Sequence, residues 1–508
     1  MNAKHSLCMS KRLLLILGAV LCAQSLQGQD AWHEGRNVAG LAGAEASEKP
    51  SQATLFGKFT SGDFRNWSQG KTLWSAGATA SSEIQLKDMV MVGSFGFTQE
   101  YGTQMMGSMF TNPGYYLVDV VEFTPGSKSR QTYNLNGGIA WKNGGRWIPG
   151  FTAHFQGINY AKRKDLRHTT YRQELEVVPS VLYQGEGWRI GASYIFEKNS
   201  EFIQAEQVGP ARADSYYALL DKGMRYGAYQ AWDGSGIHLA EPGVDRFPVQ
   251  ETAHGGSLQF SLGEGLYADA ELVFRNGVVG EKGYTWFRSP SVEWAARMVY
   301  TYMENGHRHN FHLGYEWSSA QLYENVVDKV SEGGITTPVI LGTNRIFAVK
   351  TFALNATYAL ESASGLQLEA GLFLDRDNKL STLMYPYMDL DGGTHLFFNM
   401  DVTAPLGQHW QLKAGILTGG GAYSEQISEA VHEDMSVSSV PYRLTDWWDL
   451  EQEVDDALRV QFSLALRYSF TRLPLYLEGG CSYLRALEHS LVPGVYRQTS
   501  YLQLGFNF

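Results

Sequence analysis

The chain ends Tyr496-Arg-Gln-Thr-Ser-Tyr-Leu-Gln-Leu-Gly-Phe-Asn-Phe508. Successive side chains of an extended strand leave opposite faces, so Leu502, Leu504, Phe506 and Phe508 share one face and Tyr501, Gln503, Gly505 and Asn507 the other. The first face is apolar and the second is not. Such an alternation over about ten residues suits a strand crossing an outer membrane, apolar toward lipid and polar toward the lumen. It suits the edge strand of a soluble β-sandwich equally well, and recurrence of the pattern has to decide.

The pattern recurs along the whole chain. Alternating segments fall at about 51–60, 71–84, 89–101, 131–142, 147–159, 171–183, 188–199, 254–262, 266–277, 291–303, 309–318, 345–360, 365–376, 394–404, 408–418, 457–470, 474–485 and 496–508. In 458–470 the even positions are Leu, Val, Phe or Tyr, and Arg459, Gln461, Ser463, Arg467 and Ser469 take odd ones. A slip of one residue would put those charges in lipid, so the register is fixed. Connector lengths alternate too. Tight turns such as Gly185-Glu186-Gly187 and Asn305-Gly306 alternate with long connectors at 102–130, 200–253, 319–344, 377–393 and 419–456. A membrane barrel has tight periplasmic turns and long extracellular loops, whereas a propeller or sandwich has no reason to obey that rule. The sequence therefore predicts an all-β, transmembrane, antiparallel up-and-down barrel of 16–18 strands, with Trp147, Trp188, Trp410, Trp317, Tyr101 and Tyr483 as interfacial aromatics. The last strand also resembles the closing strand of bacterial outer-membrane barrels, whose terminal aromatic is read by the barrel-assembly machinery.

Composition agrees with this architecture. The 508 residues include 55 Gly, 28 Tyr, 25 Phe and 13 Trp, with only 18% charged. A mean hydropathy of −0.25 is compatible with a barrel, because half of each spanning strand faces water. Lys11 and Arg12 precede the apolar run Leu13–Cys22, the pattern of a signal peptide, with cleavage after Ser25 or Gly28. The run is too short for a spanning helix, and Leu21 stands where lipidation of Cys22 would want a small residue. Residues 1–28 thus read as signal peptide, 29–50 as a flexible periplasmic lead-in and 51–508 as barrel. Cys481 falls on an apolar strand face and reads as a small hydrophobe. The net charge of −11 gives no footing for nucleic acid.

Charged residues of both signs occupy the face predicted to line the lumen: Asp269, Glu271, Arg275, Glu293, Arg297, His312, Glu316, Lys413, Arg459, Arg467 and Glu478. They suit a constriction that orients polar or ionic solutes, or a network that pairs opposite charges along the wall or against an inserted loop. Loop 200–253 offers a short helix at 213–223, ended by glycine, and Tyr216, Tyr217, Tyr226, Tyr229 and Trp232 for ligand contact or internal packing. Loop 419–456 is rich in Asp and Glu and holds Trp447 and Trp448. Its carboxylate spacing matches no calcium loop, so it reads as a solvated acidic surface. Met105, Met106 and Met109 read as an apolar patch rather than soft-metal ligands. Neither a nucleophile elbow nor an HExxH motif stands out, and the sequence calls for no catalytic residue, metal or cofactor.

The signal, the alternating strands and terminal Phe508 resemble the large outer-membrane barrels of Bacteroidota-type bacteria, and in detail a plug-less family of unknown function. That resemblance implies outer-membrane location and a role in uptake. Three functions stay open: a channel or transporter for small polar or ionic solutes, a surface-binding barrel plugged by its own loops, and a fatty-acid-transporter-like conduit with a lateral opening near Pro179. Outer-membrane lipid and a small solute are the expected partners, with room for proteins at the loops or the periplasmic face.

Overall fold

The structure is a computed structural model that describes residues 31–43, 51–142, 144–164, 166–206, 217–224, 227–231, 247–263, 265–281, 284–332, 335–382, 388–428, 444–471, 473–487 and 489–508. The signal segment lies outside them.

Eighteen strands close into one antiparallel barrel: β1 (Gln52–Gly62), β2 (Thr72–Gln85), β3 (Met89–Ser108), β4 (Asp119–Trp141), β5 (Trp147–Lys162), β6 (Arg167–Gln184) and β7 (Trp188–Glu206), then, after a two-stranded insertion, β10 (Phe247–Leu262), β11 (Leu266–Glu281), β12 (Tyr284–Glu304), β13 (His307–Glu332), β14 (Ile335–Glu361), β15 (Gln367–Ser381), β16 (Asp389–Leu406), β17 (Trp410–Ser428), β18 (Arg459–Ser469), β19 (Leu475–Ala486) and β20 (Tyr496–Asn507). The barrel closes where β1 pairs with β20, Leu55 opposite Leu504, so no spanning edge is left open. β12 and β13 turn at Asn305 and Gly306 with φ of 51° and 78°, the left-handed pair that a two-residue hairpin requires. Outward positions form an apolar belt in which Leu258 is 65%, Phe462 58% and Leu502 57% exposed. Trp147 and Trp410 stand at its turn end.

Three features depart from the sequence reading. First, strands run far past the alternating core into the predicted long loops. β13 and β14 pair up to Glu332 opposite Ile335, because backbone pairing persists in water without an apolar face to mark it. Second, Tyr217–Asp221 is a strand (β8), not part of a helix. It pairs with Asp119–Glu122 of β4 and with β9 (Gly227–Ala231), so tertiary pairing overrides local helix preference. Third, part of the expected flexible lead-in is packed inside the barrel. Helical turns α1 (Ala31–Glu34) and α2 (Ala39–Gly43) lie against the wall near the short turns. There Trp32, Val38, Ala39 and Leu41 share a buried cluster with Val90, Ala140, Ile148, Leu182, Tyr267 and Val299. Burial of that apolar surface outweighs the freedom the segment would have as a tether.

At the opposite end, Met109, Phe110, Tyr116 and Val118 from the connector between β3 and β4 pack against Phe247, Trp286, Phe287, Phe347 and hairpin residues Ala218 and Leu220. Helix α3 (Leu444–Asp456) covers the mouth beside β17. Its buried stripe of Leu450 and Val454, continued by Ala457, meets Phe64, Leu484 and Val492. Pro179 does not break the wall. It pairs with Phe151, and the β6–β7 ladder skips only Val178 and Pro179 before resuming at Ser180, so the lateral opening expected there is absent.

Candidate functional site

The period of two aims the predicted lumen set inward, and neighbouring strands bring most of it together. Arg297 on β12 faces Asp269 on β11 across 2.6 Å. Arg275 sits between Glu197 at 2.7 Å and Glu293 at 3.2 Å. Glu271 is met by Arg36, 3.0 Å away, a residue outside the barrel strands that also pairs with Glu176 and with Glu197 at 3.1 Å. One guanidinium from the inserted segment thus joins β6, β7 and β11. Beside it, Asn37 donates to Gln259 of β10 at 2.9 Å and to the Val181 carbonyl of β6 at 3.2 Å. His312 and Glu316 continue the inner face on β13, both half-buried, and Glu316 is engaged by a neighbour.

A second group lies across the lumen wall. Lys413 on β17 reaches Glu478 on β19 at 3.2 Å, Tyr501 donates to the same carboxylate at 2.9 Å, and the Arg467 guanidinium lies 3.5 Å from the Tyr476 ring centroid. Arg459 departs from its expected role. It is buried under α3, donates to the Val454 carbonyl at 2.8 Å and lies over Phe397. It caps a helix end instead of lining a pathway, because the helix carboxyl terminus presents carbonyls with no partner of their own.

Sequence reasoning missed a buried polar network in the extended strands. Glu122 lies between Lys128 at 3.1 Å and Lys162 at 2.6 Å, with all three side chains fully buried. Arg172 donates to Glu174 at 2.8 Å and Asn199 at 3.1 Å and stacks on Tyr115. Glu201 accepts from the Thr111 amide at 2.7 Å and the Tyr116 hydroxyl at 2.9 Å. These bonds hold the 109–118 connector down over the lumen. The signal that could have found them is a run of charges at inward positions of β6 and β7 beyond the apolar core.

Among the loop candidates, Tyr216, Tyr226 and Trp232 lie outside the described residues. Tyr217 and Tyr229 stand on β8 and β9, and Trp447 stands in α3. Trp448 lies 5.2 Å from the Lys379 ammonium. Met106 and Met109 are buried, as an apolar patch requires. Asp389, Asp391 and Glu425 place carboxylate oxygens within 4.8 Å of one another, and Tyr423 donates to Asp391. His395 bridges Asp375 and Asp456, each at 2.8 Å, and so ties β15 and β16 to the foot of α3.

The inner surface is not uniform. On β6, β7 and β10 nearly every inward side chain is buried, whereas on β13 to β15, β20 and β1 to β4 many inward positions, among them Asn355, Glu369, Gln503, Thr79 and Asn134, are half-exposed; on β16 Asp401 is half-exposed but Asp389, Asp391 and Asn399 are buried. Water reaches one side of the lumen and is excluded from the other.

Several solved structures are similar in fold. The FrpB iron transporter from Neisseria meningitidis, F5-1 variant apoprotein, has a TM-score of 0.44 at 9% identity, covering 95% of this chain and 83% of that one. The alcaligin outer-membrane receptor FauA from Bordetella pertussis gives 0.42 at 10%, covering 91% and 77%. The copper transporter OprC gives 0.41 at 8%, covering 92% and 81%. No curated protein matches the sequence. A family model matches residues 39–508, all of the barrel strands and part of the inserted segment, and the chain belongs to that family of unknown function, DUF6850.

Proposed function

We propose that this protein is an integral outer-membrane barrel, exported by its amino-terminal signal, that passes small polar or ionic solutes along the wetted side of its lumen. One observation carries the reading: inward side chains of β13 to β15, β20, β1 and β2, among them Asn355, Glu369, Gln503 and Thr79, are polar and half-exposed, while residues 31–43 cover the turn end of β3 to β6 and the 109–118 connector covers the opposite end. A barrel of about eighteen strands is wide enough for an aqueous path unless it is filled, and filling one side narrows the path without abolishing it. Residues 31–43 join the wall through Arg36, Asn37, the Ala31 carbonyl that accepts from Arg297 at 3.2 Å, and one apolar cluster, with no strand pairing among the described residues.

Conductance in planar bilayers tests this. The full chain should give small unitary steps, and a chain lacking residues 31–43 but keeping its signal should give larger ones. Absence of current from both folded proteins would overturn the reading. It would favour a surface-binding barrel, to which the apolar cap of Phe110, Phe247, Trp286 and Phe347 already lends itself.

A further inference from the structure

The outer face of β12 to β15 carries a basic strip that the lumen does not use. On that face Trp294, Trp317 and Phe352 lie side by side in register, and Arg376 on β15 extends their row. Toward the short turns the same face is apolar, with Met298, Leu313 and Leu372 exposed. Away from them, Lys350 stands two residues beyond Phe352 on β14, and Arg345 shares a row with Tyr323 and Arg288. All four basic side chains are exposed, and among the described residues none takes an ion pair or a side-chain hydrogen bond.

The charges therefore begin where the aromatic row marks the end of the hydrocarbon zone, and they point away from the barrel axis. At that level a lipid-facing side chain meets head groups. Basic residues next to a membrane surface are attracted to anionic lipid, and a guanidinium fork matches a phosphate through two parallel hydrogen bonds. From Lys350 to Arg345 the strip spans roughly 16 Å along the strand, so an extended head group fits it better than a lone ion. We infer that Arg288, Arg345, Lys350 and Arg376 bind the phosphorylated head group of an outer-leaflet glycolipid. The inference rests on the membrane-barrel reading and is independent of whether the lumen conducts.

Binding of monophosphorylated lipid A to the full-length barrel in detergent, compared with its dephosphorylated form and with inorganic phosphate, tests it. The wild type should prefer the phosphorylated lipid by at least about tenfold. R288Q/R345Q/K350Q/R376Q should lose that preference. K198Q/R485Q, which removes two exposed basic residues elsewhere on the outer wall, should keep it. Heat-modifiable electrophoretic migration checks folding; if the quadruple variant misfolds, K350Q and R345Q alone should each weaken the preference. Equal affinity for the two lipids overturns the inference, as does a preference that survives in the variants or is lost equally in K198Q/R485Q. Displacement of the lipid by millimolar inorganic phosphate would also overturn it, marking a site for the free anion. Because conductance is read separately, a silent barrel that still discriminates the lipids would sink the channel and leave this inference standing.

Discussion

The wall formed by β6, β7 and β10 and the wall formed by β13 to β16 come from the same kind of alternating sequence, yet they end in different states. On the first, Arg172, Glu176, Glu197, Asn199 and Glu201 are buried and bonded to one another or to the inserted pieces. On the second, Asn355, Glu369 and Asp401 stay half-exposed. The difference lies in what covers them. Where a segment rich in Trp, Val, Leu and Met can settle on the wall, it removes water and forces every charge there to find a partner. Where no segment covers the wall, polar side chains such as Asn355, Glu369 and Asp401 keep contact with water.

The strongest test removes a charge from the filled wall. Arg172→Ala leaves Glu174 and Glu201 facing a buried space without their cation, and should cost about 3–5 kcal/mol in denaturant unfolding of the purified barrel. A loss below 1 kcal/mol would mean that this wall is as wet as its counterpart. Next comes Leu464→Arg, on the outward face of β18, where a lipid-facing cation near the midplane costs about 2–4 kcal/mol in folding into bilayers. If it is tolerated, the belt is not in lipid and the two-walled lumen loses its frame.

The third test concerns the helix over the mouth. Removal from water, then the nearby Asp455 and Asp119, pushes the half-buried Glu451 carboxyl up to about 8, and removal from water pushes Asp455 to about 6. Between the ordinary carboxyl range and those values the folded protein holds protons that the unfolded chain has released, so the seating of α3 weakens as pH rises from about 5 to about 8. Glu453 has the opposite sign. Partial burial alone would raise it, but hydrogen bonds from the Ser490 hydroxyl and the Ser490, Leu491 and Val492 amides hold it below the ordinary value. Its contribution is complete above that value and lost below it. Hydrogen exchange across 444–456, corrected for intrinsic rates, should show slowest opening near pH 5 and faster opening at pH 8; a flat profile breaks the assignment. The smallest effect belongs to the pair between β17 and β19. Lys413→Ala removes a cation that is about a third exposed and leaves the buried Glu478 with the Tyr501 hydroxyl, so it should cost about 1–2 kcal/mol in unfolding, less than Arg172→Ala beside it.

Much of the barrel could be read from residues in isolation. A period of two names the face of each side chain, so the inward position of Asp269, Arg275, Arg297, Lys413 and Glu478 is legible from alternation alone. The pairs Arg297–Asp269 and Lys413–Glu478 then follow from adjacency or near-adjacency in the sheet. Arg36 could not be placed this way, because nothing periodic surrounds it. The Glu122, Lys128 and Lys162 group sits in segments whose hydropathy resembles that of a loop. Arg459 obeys the same alternation as Arg467, yet it caps a helix that arrives from the far side of a connector.

The sequence by itself determined the barrel class, a count of 16–18 strands, and the inward and outward faces, because lipid on one side and water on the other punish any slip along a two-residue repeat; closure at eighteen came from the structure. Only the tertiary structure decided which half of the lumen is filled. That outcome depends on aperiodic segments, 31–43 and 109–118, finding surfaces on strands distant in the chain, and no local pattern records where a free segment comes to rest.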